Sequence, residues 1–341
     1  MRGPGETSRI HHMILDEKET SCRRCHFPGN GLGAADMVLP AKGVLCMPCH
    51  TATFSAGDTT TIAALILFMV GMVLLSSYWL SGSIPDETNG RFSRKFFRVL
   101  SILGTTVFSK EILAIIKSLF FDAFLQRRLY KQSRGRWLIH ALIFFPFVFR
   151  FAWGIAALMA SIWRPEWSWF RFMLDKNHPA TALLFDLTGI MVIFGIGCAL
   201  IRGFLNRSKR VKGLPGQDRF ALGLMAGIVA AGFILEGMRI AMTGSPPGAA
   251  YGFLGYAISR AFTDPSGLTG LYGALWYSHA GLTGVFVAYM PFSQMFHMVM
   301  APVVLAMRAV SDSATKTRLR AEALQRAGTK AQSPPWRDSD E

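Results

Sequence analysis

The sequence predicts an all-α membrane protein: a five-transmembrane-helix bundle with interfacial helices and a small polar N-terminal segment. Three observations carry this. Of 341 residues, 51% are hydrophobic and 17% charged, with a mean hydropathy of +0.32, too apolar for a soluble chain of this size. Apolar runs long enough to cross a bilayer recur along the chain. The net charge of +15 sits in the loops between those runs, where membrane proteins keep it on the cytoplasmic side. A soluble nucleotide-binding enzyme and a nucleic-acid-binding module are thereby excluded as the main body.

Residues 1–58 are polar, Gly-rich and poor in aliphatics, so they cannot build a hydrophobic core unaided. No apolar h-region of a signal peptide is expected in residues 1–20. Five spans follow: Thr61–Leu80, Trp137–Trp163, Ala180–Arg202, Phe220–Met242 and a long Leu271–Met307 that must overhang the membrane. Between the first two lies Ser83–Arg136, whose apolar part is interrupted by Arg98, Lys110, Glu111, Lys117 and Asp122. Charges at a bilayer centre cost several kcal/mol, so this stretch reads as amphipathic helices on the membrane surface.

Orientation follows from Lys and Arg. Ser83–Arg136 carries eleven of them, and the loop after the third span and the C-terminal tail carry more. The remaining loops hold only Arg164, Arg171 and Lys176 in one and Arg260 in the other. The N-terminus is therefore expected outside and the C-terminus inside a bacterial or archaeal cytoplasmic membrane. This divides the chain into an outer segment 1–58, a membrane domain 59–310 and a cytoplasmic tail 311–341.

Cys22-Arg-Arg-Cys25-His26 and Cys46-Met-Pro-Cys49-His50 both match CxxCH, in which two thiols bond one haem and the adjacent His ligates its iron. The 20 residues between Cys25 and Cys46 also suit a zinc ribbon, and disulfides are allowed in an oxidising compartment. A ribbon needs no His after either pair, yet both pairs have one, so two covalent c-type haems are the favoured reading. They would also replace the missing core of the segment. His11 and His12 are the nearest candidates for the remaining axial positions, with Met37 and Met47 behind them.

Three further histidines lie in apolar segments. His279 and His297, 18 residues apart, would share one face of a continuous helix, ~27 Å apart along its axis. His140 lies near the inner end of the second span. Ionisable residues inside a membrane are functional candidates by default, and histidines at these depths suggest b-type haem ligation between facing helices.

At this point the chain resembles the membrane cytochrome b (gamma) subunit of respiratory nitrate reductase, and the related membrane subunits of heterodisulfide-reductase-like redox complexes. The likeness covers about residues 60–310 and rests on Arg136-Trp-Leu-Ile-His140 and on His279-Ala-Gly-Leu…Pro291-Phe-Ser-Gln-Met-Phe-His297. It implies that the second span gives one His to each of two b haems and the fifth span gives the other two. His140 then pairs with His297 near the cytoplasm. The second His of the pattern falls on Arg150 here, so the partner of His279 is open, with His178 a substitute and one or two b haems in prospect.

Asp186, Glu236 and Arg239 fall near one depth in the outer leaflet, with Arg150 and His279 slightly deeper. They read either as an ion-pair set, an Arg holding haem propionates included, or as a quinone site in which Glu236 or Asp186 takes a quinol proton. By resemblance the chain passes electrons between quinone, b haems, outer c haems and a cytoplasmic iron–sulfur subunit docked on the basic inner face, with a periplasmic cytochrome as outer partner. The alternative is a haem-carrying anchor with no quinone site of its own.

Overall fold

The computed structural model describes residues 39, 42–52, 54, 59–80, 92–107, 112–164, 167, 170–205, 217–264 and 267–311. Among them the regular structure is helical, with no strand. In chain order the helices are α1 (Thr59–Leu80), α2 (Phe92–Val107), α3 (Ile112–Ser118), α4 (Arg127–Gln132), α5 (Arg134–Trp163), α6 (Arg171–Leu174), α7 (Pro179–Leu205), α8 (Arg219–Met242), α9 (Phe253–Ser259) and α10 (Leu268–Tyr289). A last helical segment, α11, covers Gln294–Ser311.

Five of these are long and apolar enough to cross a membrane: α1, α5, α7, α8 and α11. The protein is thus a multi-pass, all-α membrane protein. The first four match the spans read from the sequence to within three residues. The fifth does not. A continuous helix over Leu271–Met307 is broken between Tyr289 and Gln294 into α10 and α11. Pro291 has no N–H to donate and its ring opposes helical continuation. The chain tightens into a 3₁₀ turn at Met290–Phe292, and Ser293 is extended at φ −104°, ψ 163°. The Asp218 carboxylate, which also caps α8 through Ala221 N (3.0 Å), accepts from Gln294 N at 3.3 Å and ties the break down. His279 and His297 therefore stand on different helices and do not share one face of a continuous helix.

Two compact bodies result. One holds residues up to Val73 with Leu138–Gln294; the other holds Leu74–Trp137 with the chain from Met295 onward. In the first, α8 is central and packs against α7, α9 and α10, and more of it is buried than of any other span. Its buried side chains lie on several faces, including Leu224, Ile228, Phe233 and Ile240, as a core helix requires. Approach to α9 depends on two glycines: a Cβ on Gly237 would come within 2.5 Å of Ile258 Cγ2, and one on Gly255 within 2.6 Å of Glu236 Cγ. By contrast α1 is apolar all round and exposes Ile66, Leu67, Met69 and Val73, which suits lipid contact.

The second body holds the helices expected at the surface, none of which qualifies as a span. On α2 the described exposed side chains mix Arg94 with Phe96, Phe97 and Leu100. Asp122 is buried in the π-helical turn after α3 and accepts from Arg127 Nε at 3.0 Å, with Arg128 Nε at 3.2 Å. Burial alone would raise its carboxyl pKa, but the two guanidiniums more than offset this and hold it below the ordinary value. Ser118 Oγ donates to the Leu305 carbonyl of α11 (3.3 Å), and Trp137 Nε1 to Leu125 O (3.3 Å).

Candidate functional site

The second cysteine motif folds as one helical turn. After the 3₁₀ turn Val44–Cys46, the Cys46 carbonyl accepts from both Cys49 N and His50 N at 3.1 Å. Cys46, Cys49 and His50 thus occupy positions i, i+3 and i+4, which share one face of a turn. The turn is seated on the membrane helices. Met47 and Ala52 form a buried cluster with Leu158 of α5, flanked by Val44, Ile155 and Met159, and the Val44–Cys46 turn also packs on α10. Gly154 of α5 makes room: a Cβ there would lie 3.3 Å from His50 O and 3.4 Å from Thr51 N.

The His50 ring faces His279 of α10, with ring centroids 6.4 Å apart and planes inclined by 19°. Each ring has a buried nitrogen, Nδ1, with no hydrogen-bond partner. Burial above all, then the positive charges of Lys42 and Lys176, holds the His50 pKa well below its ordinary value, with His279 and Arg150 adding to this. Its imidazole is therefore neutral, the form that binds a metal. Burial also raises the Cys49 thiol pKa, and Arg150 offsets part of that rise. A turn with two thiols and a neutral imidazole, its Nδ1 buried without a partner and more basic than acidic side chains around it, fits a covalently held haem with its anionic propionates. The first motif (Cys22, Cys25 and His26), together with His11, His12 and Met37, lies outside the described residues.

Arg150 lies one turn before Gly154. Its side chain reaches to α7, donating from Nε to Thr188 Oγ1 at 2.9 Å and from Nη2 to the Phe185 carbonyl, with the guanidinium 5.0 Å from the Phe185 ring centroid. Asp186 is buried on α7, and its carboxylate accepts from Leu254 N (2.7 Å) and Gly255 N (3.3 Å) at the start of α9. Glu236 pairs with Arg239 one turn along α8 at 2.6 Å, and Tyr272 of α10 lies within the field of that pair. The expected polar cluster thus resolves into a helix-capping Asp186, an Arg150 clamp and the Glu236–Arg239 ion pair.

The remaining histidines are placed as follows. His140 is half-buried on α5 with its ring 5.8 Å from that of Phe144. His178 leads into α7, its ring 5.2 Å from Phe172. His297 is exposed near the start of α11, in the second body. Lys42, Lys176 and Tyr272 were not legible as site residues, since nothing in their local sequence marks them. His50 and His279 were both candidates, but their meeting across 229 positions leaves no local trace.

The fold and site define a multi-pass helical membrane protein with a CxxCH turn docked on its bundle. Over 260 residues the chain is 22% identical to a subunit of the dihydromethanophenazine:CoB–CoM heterodisulfide reductase of Methanosarcina thermophila, covering 71% of this chain and 87% of that protein. It is 23% identical over 213 residues to the EtfAB:quinone oxidoreductase of Syntrophomonas wolfei, covering 59% of this chain but 29% of that longer protein. No family profile and no solved structure matches the chain. The two likenesses, with the five apolar helices, mark the chain as a membrane redox subunit.

Proposed function

We infer that this protein is the membrane electron-transfer subunit of a respiratory redox complex, passing electrons between the quinone pool, b haem, covalent c haems outside the membrane and a cytoplasmic iron–sulfur partner. One observation carries the reading: the Cys46-to-His50 turn sits on α5 and α10 with its histidine facing His279 of α10. A carrier held there joins the outer segment to the bundle without an intervening domain. Haem supplies one-electron chemistry, and the protein sets its position and potential. Cys46 and Cys49 would hold the second c haem with His50 as axial ligand, Cys22, Cys25 and His26 the first, and His140 would be a ligand of an inner b haem. The partner and quinone assignments lean on the two relatives, named for a heterodisulfide reductase and a quinone oxidoreductase.

The test is covalent haem. A denaturing gel stained for haem peroxidase should show a band at this subunit's mass, lost when both Cys22 and Cys46 become Ala. A pyridine haemochrome spectrum should show b and c haem together. Zinc retained without stain would overturn the reading in favour of a ribbon.

A second reading, a haem-carrying anchor without its own quinone site, is favoured by one observation. Asp186 is committed to two backbone amides and Glu236 to Arg239. Of the two carboxylates, only Glu236 is left to take a quinol proton, and it must leave its ion pair to do so.

A further inference from the structure

We propose that His279 of α10 is the second axial ligand of the covalent haem carried by Cys46, Cys49 and His50, so that one iron is shared between the outer segment and a helix of the bundle. The proposal rests on the reading of that motif as a haem-attachment site. It goes beyond that reading by naming the opposite ligand and by taking His279 away from any b haem.

The geometry is the first argument. Two metal–imidazole bonds of about 2.0–2.1 Å, with each nitrogen ~1 Å from its ring centre, put two axial imidazole centroids ~6 Å apart. His50 and His279 stand at 6.4 Å with nearly parallel planes. His279 is oriented by a hydrogen bond to the Ile228 backbone and its buried Nδ1 has no partner, which leaves that nitrogen free for a metal; the His50 Nδ1 is likewise buried without a partner.

Electrostatics gives the second argument. Four basic side chains, Lys42, Lys176, Arg150 and Arg239, gather beside the turn and act on only two carboxylates, Glu236 and Asp186, a balance that the two propionates of a haem would complete.

Arg150 supplies the third. It occupies the α5 position where a histidine facing His279 was expected, and it turns away to clamp Phe185 and Thr188 of α7. Four residues on, Gly154 receives the backbone of His50. The place of an α5 histidine is thus taken by one from the outer segment, and no surrogate such as His178 is needed.

The full chain, matured in a host that attaches c-type haem, tests this. In His279→Ala, haem staining and c-haem content should be unchanged, while one ferric low-spin haem per chain becomes high-spin and, once reduced, binds carbon monoxide. Added imidazole should restore it. His279→Met should keep that haem low-spin with a new optical signature and a raised potential. Independently of any His279 variant, the EPR difference between wild type and Cys46→Ser/Cys49→Ser should be a rhombic low-spin signal, as near-parallel ligand planes give. Covalent haem with unchanged spin state in His279→Ala overturns the proposal, and so does loss of a non-covalent b haem in that variant. A high-spin or strongly anisotropic difference signal overturns it too. Absence of covalent haem from the wild type removes the underlying reading itself, and staining reveals that before any spin state is measured.

Discussion

At the scale of the residue, the membrane carboxylates divide by their partners. Asp186 accepts two α9 amides and cannot release them without uncapping that helix. Glu236 forms an ion pair with Arg239 on its own helix and also lies in the field of Lys176 and Lys42. Glu236→Gln should slow quinol-linked turnover at least tenfold if Glu236 takes the quinol proton, a loss of about 1.4 kcal/mol or more, with the haem spectra unchanged. Equal turnover in the variant returns Glu236 to a structural ion pair and favours the anchor reading. Asp122 makes a different prediction. Its folded pKa lies below the ordinary value near 3.8, so its contribution to stability is full above that value and fades as the pH falls through the folded one. Asp122→Asn should lower stability by about 1–2 kcal/mol at neutral pH, and the gap in melting temperature should close as the pH is taken below 3.8. A gap independent of pH would show that Arg127 and Arg128 add nothing through charge.

At the scale of the element, the break at Pro291 and the seat at Gly154 matter most. One proline and one extended serine divide what reads as a single long span into α10 and α11. The 18-residue spacing of His279 and His297 then loses its geometric meaning, because the rotation per residue holds only within one helix. Gly154 tests the seat. Its Cβ position is already 3.3 Å from His50 O, so Gly154→Leu has no room for its branch. It should lift the CxxCH turn from α5, leaving haem staining intact while the low-spin content falls by up to one haem per chain. A spectrum identical to wild type would mean that α5 does not hold the turn.

At the scale of the whole molecule, the positive-inside pattern predicts sidedness. Residues 1–58 and the Thr243–Gly270 loop should react with impermeant label from outside, and Ser83–Arg136 only after permeabilisation. Labelling near Lys110 in intact cells would invert the scheme, and the inner position of His140 would fall with it. If His279 serves the covalent haem, one b haem accompanies two c haems, so the outer electron path would consist of protein-bound c haem with its ligands drawn from two parts of the chain.

What the sequence determined by itself is what depends on neighbours along the chain. Hydropathy runs located α1, α5, α7 and α8, because burial in lipid is decided residue by residue over about 20 positions. The charges at Arg98, Lys110, Glu111, Lys117 and Asp122 kept the stretch after α1 from reading as a span. The CxxCH motifs were visible because thioether attachment and axial ligation need residues within one turn. Tertiary structure alone decided which groups meet. Asp186 found the α9 amides 68 residues away, Arg150 turned to α7, and His50 came to face His279. Such pairings come from helix packing, where a missing Cβ at Gly154 or a broken helix at Pro291 moves side chains by ångströms. No periodicity in the sequence encodes that, because the distance between two helices is set jointly by both of their surfaces.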